Sequence, residues 1–121
     1  MATSEKHAHH AIDYVEIPVV DMTAAQTFYA AAFGWRFTDY GPGYAGIQGE
    51  EKEQGGLARV DDVPQGGGPL VVLFSNDLAA THRAVEIAGG AITTPPFDFP
   101  GGRRFHFSDP SGNAMAVWEK S

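Results

Sequence analysis

The residues of this chain that can do chemistry are concentrated in two short segments that are typical of β-strands. Glu16 lies within Tyr14–Val20, and Arg104 and His106 lie within Arg103–Ser108. A carboxylate and an imidazole can both transfer protons when their surroundings bring their pKa values near neutrality. A neighbouring guanidinium can hold a substrate carboxylate or enolate. These residue types therefore indicate acid–base chemistry on a small, oxygen-bearing molecule.

Alternation along the first segment predicts which of its side chains share a face. Side chains of a strand point alternately to its two sides. Val15, Ile17 and Val19 form an apolar side that can pack under a helix, which turns Tyr14 and Glu16 to the other side. A one-residue slip would bury the carboxylate without a partner, at a cost of several kcal/mol. The favoured register therefore places a phenol and a carboxylate together, away from the helix.

The same alternation turns the basic residues of the second segment away from a helix. Phe105 and Phe107 are its apolar set, so Arg104 and His106 share the opposite face. The last strand presents three residues on one of its faces: Ala114, Ala116 and Trp118. The two alanines leave room for an apolar ligand, and the indole, like the Tyr14 ring, supplies stacking area.

The elements that must position these residues follow from helix caps, turn residues and hydrophobic periodicity. Asp21 and Asp77 each begin a helix, and glycines end the helices at Gly34 and at Gly89-Gly90. The strand predicted over 91–97 is interrupted by Pro95-Pro96 and is expected at a sheet edge. Eight strands are predicted in all, over residues 14–20, 35–40, 44–48, 54–60, 70–75, 91–97, 103–108 and 113–118.

The two halves of the chain form a weak internal repeat. The caps Asp21 and Asp77 have the same separation as the glycines Gly34 and Gly90. Each half therefore predicts the order strand, helix, three strands. We expect a flexible tail over residues 1–11 and a single domain over 12–119, with module one at 12–60, a linker at 61–69 and module two at 70–119.

Composition narrows the class of protein. The chain has 121 residues, 43% of them apolar, which suits one globular domain. Eight basic residues against fifteen acidic ones give a formal charge of −7, so nucleic acid is not an expected partner. The absence of cysteine excludes disulfides and thiolate chemistry. No apolar run reaches membrane-spanning length and the first ten residues do not resemble a signal peptide, so we expect a cytoplasmic protein without membrane contact.

Three motifs in this order carry a family resemblance. Phe28-Tyr29 and Phe33-Gly34-Trp35 fall at the first helix, and a DPxGN turn follows near the end, at Asp109-Pro110 and Gly112-Asn113. Over residues 12–119 the chain resembles the vicinal-oxygen-chelate superfamily, which includes glyoxalase, bleomycin-resistance proteins, fosfomycin-resistance enzymes and extradiol dioxygenases. The segment Gly102–Asn113 is similar to a glyoxalase-related bacterial subgroup.

The resemblance implies an α+β fold in which two βαβββ modules form a curled mixed sheet around a cavity, with the helices outside. Members of the family are commonly homodimers, and a small domain with open sheet edges also favours a homodimer. In the fosfomycin-resistance relatives, positions like Glu16, Arg104 and His106 contact the substrate. The expected cavity holds Glu16 and His106 as catalytic residues, with Tyr14, Arg104, Trp118, Ala116 and Leu70 as substrate-binding residues.

The resemblance also allows a test of the family's metal site. Metal-dependent relatives use a His at the position of Tyr14, a second ligand at Leu70 (Val71 in the neighbouring register) and a Glu at Ala116. A further ligand can come from the fourth strand, where residues 54–60 offer neither Glu nor His. A divalent metal needs roughly three or more N, O or S donors, and a phenol is a poor donor at neutral pH. We therefore expect no metal and no other cofactor.

Two classes of function stay open from the sequence, and a third, a metal-dependent lyase or dioxygenase with substituted ligands, ranks behind them. One is a glyoxalase-like enzyme of the lyase or isomerase type that applies metal-independent acid–base chemistry to a carbonyl- or carboxylate-bearing substrate. The other is a non-catalytic protein that sequesters a small molecule, as bleomycin-resistance relatives do. The site residues also have structural alternatives: Glu16 in a salt bridge with Arg104 or Arg59, His106 as a satisfied core histidine, Arg103 and Arg104 both exposed, and Trp118 as a packing residue.

Overall fold

The computed structural model describes residues 7–121, in which a βαβββ unit occurs twice. The first module contains β1 (Val15–Val19), α1 (Met22–Phe33), β2 (Phe37–Asp39), β3 (Tyr44–Gln48) and β4 (Glu53–Arg59). The second contains β5 (Val71–Phe74), α2 (Leu78–Ile87), β6 (Ala91–Phe99), β7 (Gly102–Ser108) and β8 (Ala114–Lys120). Residues 1–6 of the expected tail lie outside the described part of the chain.

Both helices begin at the predicted caps. The carboxylates of Asp21 and Asp77 each accept a hydrogen bond from the backbone N–H three residues on, at 3.0 and 3.1 Å. Gly34 ends α1 in the left-handed conformation, with φ 72°, as predicted. Helix α2 ends earlier than expected, because Ala88 is its C-cap and the left-handed glycine, Gly89, comes one residue after it.

The strands form two mixed sheets of four strands each, which confirms the α+β fold with two modules. The first sheet has the order β1-β4-β3-β2 and the second the order β5-β8-β7-β6. In each sheet the first and last strands of the module pair in parallel, whereas the other pairs are antiparallel. The two sheets are not closed into a barrel. The first sheet carries Glu16 and the second carries His106.

A single apolar core joins the two modules. The helices α1 and α2 contact each other, and both sheets turn their apolar faces toward them. The Phe28 and Phe33 rings of α1 lie 6.0 and 5.7 Å from the ring of Phe107 on β7. The fully buried members of the core come from both modules, among them Val19, Tyr29, Leu57, Val85, Phe105, Phe107 and Val117. The face of each sheet opposite this core therefore points outward.

Polar contacts at one corner fasten the modules to each other. The Tyr29 hydroxyl of α1 donates to the buried Asp109 carboxylate at 2.7 Å. The Asn113 side-chain amide donates to the Pro18 carbonyl at 2.7 Å, and the Val20 N–H donates to the Ser111 hydroxyl at 3.0 Å. The turn between β7 and β8 is thus held against the first module. The motif residues Tyr29, Asp109 and Asn113 make two of these contacts.

Several strand boundaries differ from the sequence prediction, and three of these differences concern the site. Strand β4 begins at Glu53 and not at residue 54, so the fourth strand does contain a glutamate. Strand β6 runs through Pro95-Pro96 to Phe99 at the sheet edge, because register shifts on both sides of Thr94 accommodate the prolines. Leu70 precedes β5 and does not belong to it. Within residues 7–121, no helix is long and apolar enough to cross a membrane.

Candidate functional site

The predicted alternation of β1 and β7 is confirmed. Ile17 and Val19 are buried in the core on β1, as are Phe105 and Phe107 on β7. The residues between them lie on the outward faces of the two sheets. Each outward face carries a distinct set of functional groups.

The outward face of the first sheet, here called the acidic face, consists of two carboxylates and three phenols: Tyr14, Glu16, Tyr40, Tyr44 and Glu53. The Tyr44 hydroxyl donates to the Glu16 carboxylate at 2.9 Å, and the Tyr14 and Tyr44 hydroxyl oxygens are 2.7 Å apart. The Glu53 carboxylate accepts from Tyr14 at 2.9 Å and from Tyr40 at 2.8 Å. A continuous chain of hydrogen bonds therefore connects Glu16 on β1 with Glu53 on β4.

Two glycines make room for this chain of hydrogen bonds. A Cβ atom on Gly46 would overlap the Glu53 carboxylate, and one on Gly56 would overlap the Tyr44 hydroxyl. Both glycines are buried at paired positions of β3 and β4. The absence of side chains there allows the polar groups to lie flat across the sheet.

The outward face of the second sheet, here called the aromatic face, is apolar around one cation and one imidazole. Its members are Val72, Phe74, Phe97, Phe99, Arg104, His106 and Trp118. The strand register forms a row from Phe74 through Trp118 and Arg104 to Phe97. The Arg104 guanidinium lies 5.8 Å from the centre of the Phe97 ring and 6.0 Å from that of Phe99. These are cation–π contacts, which hold the guanidinium plane against the sheet.

His106 is a neutral acceptor on this face. The Arg104 guanidinium lies against its Nε2 atom, with Nε at 3.2 Å and a terminal nitrogen at 3.0 Å. Because a guanidinium only donates, Nε2 accepts and carries no proton. Burial, reinforced by the Arg104 charge, lowers the pKa of His106 below its ordinary value of 6.5. The Phe97 ring stacks on the imidazole at 5.9 Å.

The predicted site residues fall into two groups within one chain. Tyr14 and Glu16 lie on the acidic face, and Arg104, His106, Ala116 and Trp118 lie on the second sheet, where Ala116 is fully buried beside His106. A cavity of about 210 Å³ borders Glu16, and a separate one of about 220 Å³ is lined by Val72, Phe99, Arg104 and Trp118. Leu70 is 38% exposed before β5. One copy of the chain does not bring the two groups together.

The contacts decide between several structural alternatives. Glu16 accepts a hydrogen bond from Tyr44 and does not pair with Arg59, because Arg59 pairs with Asp61 at 2.7 Å. Trp118 packs against Phe74 and Phe99, with ring centres 5.2 and 6.1 Å away. The indole therefore forms part of the aromatic face and does not belong to the central core.

Sequence reasoning missed Glu53, Tyr44 and Tyr40. The buried pair Ala45 and Ile47 on β3 was the signal that could have turned Tyr44 outward by alternation. Alternation from the buried Leu57 would instead have turned Glu53 toward the core. A bulge between β3 and β4 pairs Gln48 with Glu53 and shifts this carboxylate onto the outward face.

The donor set does not fit the metal of the metal-dependent relatives. At the matching positions, Tyr14 is engaged by Tyr44 and Glu53, and Leu70 and Ala116 carry no donor. Glu53 adds one carboxylate beside Tyr14, which leaves fewer donors than roughly three. Within residues 7–121, no cluster of three or more His, Asp or Glu side chains is arranged to hold a metal ion.

Comparison with known proteins agrees with this fold. The family model of the glyoxalase/bleomycin resistance protein/dioxygenase superfamily matches residues 11–117, and the chain belongs to this family. It is 38% identical over 119 residues to the anthracycline biosynthesis protein DauV of Streptomyces sp. (strain C5), covering 83% of this chain and 43% of that protein. The chain thus spans less than half the length of that relative.

Two solved structures illustrate the range of the fold. A glyoxalase-related enzyme from Fulvimarina pelagi superposes with a TM-score of 0.79 at 19% identity, covering 92% of this chain and 88% of that one. TnmS3, an antibiotic binding protein from Streptomyces sp. CB03234, superposes with a TM-score of 0.69 at 24% identity, covering 96% and 100%. At these identities the likeness establishes the fold alone.

Proposed function

We propose that the chain is a metal-independent acid–base enzyme, of the lyase or isomerase type, for a planar, oxygen-bearing small molecule. The ligand lies between the acidic face of one copy and the aromatic face of a second copy. The observation that carries this proposal is that the functional groups of the chain occupy two outward faces, each of which supplies half of a site. A cytoplasmic location, without nucleic-acid or membrane partners, belongs to the same proposal.

Exposed apolar side chains support pairing of two copies. Phe74 is 56% exposed and Val72 is 41% exposed on the aromatic face, and such contiguous apolar surface is typical of an interaction site. The faces are also complementary in charge, because Glu16 and Glu53 lie on one and Arg104 on the other. A two-fold axis would place each acidic face against an aromatic face and form two equivalent sites.

The aromatic face favours a planar ligand with an anionic or carbonyl oxygen. Phe97, Phe99 and Trp118 offer ring surface around the Arg104 guanidinium, which can bind a carboxylate, phenolate or enolate oxygen. The similarity to a protein of anthracycline biosynthesis is in keeping with a small organic ligand.

The acid–base groups of the paired site come from both faces. When the Arg104 guanidinium turns from His106 Nε2 to a substrate oxygen, Nε2 is free to accept a proton, and Arg104 can stabilise the negative charge that this proton transfer leaves on the substrate. Glu16 can exchange a proton on the opposite side of the ligand. This arrangement suits proton transfer next to a carbonyl group and the bond cleavage or isomerisation that follows it.

Sequestration without reaction is the second candidate. It is favoured by the extent of exposed aromatic and aliphatic surface around a single guanidinium. The antibiotic-binding function of TnmS3 is in keeping with it. Both candidates use the same binding site, and only turnover separates them.

A thermal-shift screen of planar phenolic and quinonoid compounds, with and without divalent metals, tests the proposal. A ligand should raise Tm of the wild-type protein without added metal, and Arg104→Ala should remove the shift. Arg103→Ala is the matched control, since Arg103 is exposed and pairs with Asp98 at 2.8 Å. Equal shifts in the two variants would refute the site.

Activity with the ligand found in this way separates the two candidates. For an enzyme, Glu16→Gln should abolish turnover and leave most of the thermal shift. For a sequestration protein, the wild-type chain should return the ligand unchanged, and Glu16→Gln should alter affinity only modestly. Conversion by Glu16→Gln at the wild-type rate would contradict the proposed role of this carboxylate.

A further inference from the structure

Within residues 7–121, the Arg104 guanidinium has no carboxylate partner. The adjacent Arg103 pairs with Asp98 at 2.8 Å. Arg104 instead contacts two aromatic rings of β6 and the Nε2 atom of His106. Rings and a neutral imidazole stabilise a cation without neutralising it. The aromatic face therefore keeps one positive charge available for an anionic ligand.

His106 has one lone pair that can take a proton, and Arg104 occupies it. A neutral imidazole carries one N–H group and one bare nitrogen. Because Nε2 accepts from the guanidinium, with nitrogen–nitrogen distances of 3.2 and 3.0 Å, the N–H group is at Nδ1. Nε2 can gain a proton only when the guanidinium moves away from it. The anion-binding group and the proton acceptor of this face are thus adjacent, and one ligand oxygen can reach both.

The positions that flank these two residues are uncharged. Four residues of the neighbouring strands β6 and β8 pair with them: Thr94, Phe97, Ala116 and Trp118. Burial, reinforced by the Arg104 charge, lowers the pKa of His106 below 6.5, and an anion bound to the guanidinium would oppose the effect of that charge. In the paired arrangement, Glu16 and Glu53 of the second copy are the carboxylates opposite this face.

We propose that this site takes a planar phenol or enol, which binds to Arg104 as an anion after giving its proton to Nε2 of His106. The ligand O–H bond breaks and an N–H bond forms at Nε2, while Nδ1 keeps its hydrogen. The electron pair of the broken bond stays on the ligand oxygen, which the guanidinium then binds. No proton is exchanged with solvent, and the net charge of ligand and site is unchanged. This ligand class rests on the proposed function, because it concerns the same site.

A cation next to a proton acceptor suits this class of ligand better than a carboxylate. A carboxylic acid, with a pKa of about 4, is already ionised near neutral pH and needs only the guanidinium. A phenol, with a pKa of about 10, is protonated in solution and needs both groups. The resulting ion pair is stronger among apolar side chains than in water, because the local dielectric constant is lower.

The cavity on this face has the size and the walls that a ring requires. Its volume is about 220 Å³, and it is lined by Val72, Phe99, Arg104 and Trp118. An apolar cavity of roughly 150 Å³ can hold benzene, so a substituted ring fits here. Its oxygen would lie at the guanidinium, the only charged group among the four lining residues.

Absorption spectroscopy with 4-nitrophenol tests the proton transfer, because its anion absorbs visible light and its neutral form does not. The full chain is titrated in weakly buffered solution near pH 6.5, where free 4-nitrophenol is mostly protonated and the lowered pKa keeps His106 mostly neutral. Binding to the wild-type protein should generate the phenolate band, while a pH electrode registers no proton release. 4-Nitroanisole, which has the same ring without an acidic hydrogen, should bind more weakly.

His106→Gln removes the basic nitrogen and keeps a polar side chain. Its affinity for 4-nitrophenol should fall by about tenfold or more, the equivalent of one hydrogen bond to a charged group. Each phenolate that it binds should release one proton to solvent. 4-Nitrobenzoate brings no proton, so its affinity should not fall in this variant. His82→Gln is the matched control, because His82 lies on α2 against Phe105, away from the aromatic face.

Circular dichroism checks that each variant is folded. Three results would each overturn the assignment: a wild-type protein without the phenolate band, proton release from the wild-type protein on binding, and wild-type affinity for 4-nitrophenol in His106→Gln. Failure of the proposed function would instead appear as an intact phenolate band in a protein that turns over no ligand.

Discussion

Replacing Tyr29 by Phe should lower the stability of the fold by an amount set by one buried hydrogen bond. The Tyr29 side chain has no exposed surface, and its hydroxyl donates to one oxygen of Asp109 at 2.7 Å. A hydrogen bond to a charged group contributes about 1.5–3 kcal/mol. The Tyr29 ring stacks on Trp35 with centres 4.6 Å apart, and Phe preserves this packing. We therefore expect the free energy of unfolding to fall by about 1.5–3 kcal/mol through the lost hydrogen bond alone.

Other donors keep the Asp109 carboxylate from becoming unsatisfied in this variant. The Asn113 amide donates to the same oxygen at 3.0 Å, and the backbone N–H groups of Ser111 and Asn113 donate to the other oxygen at 2.9 Å each. The loss should therefore stay within the range of one hydrogen bond. For a chain of this length it corresponds to a decrease in Tm of roughly 6–12 °C.

Urea unfolding followed by circular dichroism measures this difference at a fixed protein concentration. Tyr40→Phe is the control, because its hydroxyl also donates to a carboxylate but its side chain is 59% exposed. The control should change the free energy of unfolding by less than about 0.5 kcal/mol. If Tyr29→Phe is as stable as Tyr40→Phe, the Tyr29–Asp109 contact does not fasten the modules as described.

Three further changes test the electrostatics, the pairing and the packing of the outward faces. Burial lowers the pKa of His106, so the unfolded chain protonates this imidazole at a higher pH than the folded chain does, and stability falls as the pH drops through 6.5. His106→Gln should flatten the resulting decline of Tm with falling pH. An unchanged profile of Tm against pH would contradict the lowered pKa. Phe74→Asp should sediment as a monomer near 12.9 kDa, because its charge disrupts the aromatic face. The control Ile87→Asp, at an exposed position of α2, should still sediment as a pair. A wild-type chain that sediments as a monomer would refute the pairing. Gly56→Ala should displace the Tyr44 hydroxyl and lower Tm, whereas a Tm equal to that of the wild-type protein would contradict the crowding at this glycine. Elemental analysis of the purified protein should find no stoichiometric zinc, nickel, iron or manganese, and a full equivalent of any of them would contradict the donor count.

Local rules were sufficient for much of the fold. Asp21 and Asp77 cap helices because a short carboxylate satisfies the first free N–H groups, and this depends only on nearby residues. The orientation of Glu16 and His106 followed from alternation within five- and seven-residue strands. Gly34 ends α1 because the left-handed conformation is cheapest for glycine.

The rest depends on contacts between segments distant in sequence. Whether Glu53 faces outward is decided by the bulge opposite Gln48, and the sequence of β4 alone favours the reverse orientation. The arrangement of the modules, with both apolar faces around one core, decides that Glu16 and His106 do not meet within a chain. Neither feature has a short-range signal, since both arise from pairing and packing across the whole domain.

The corner contacts between the modules also bear on how the chain tolerates being cut. Asn113 to Pro18 and Ser111 to Val20 tie the modules independently of the covalent linker. Within that linker, Gly66, Gly67 and Gly68 follow one another at φ values of 78°, 73° and 77°. This three-glycine stretch therefore acts mainly as a tether that raises the local concentration of one module near the other. A chain opened at these glycines and rejoined elsewhere would keep the same interface, because the interface and not the order of the modules defines the domain.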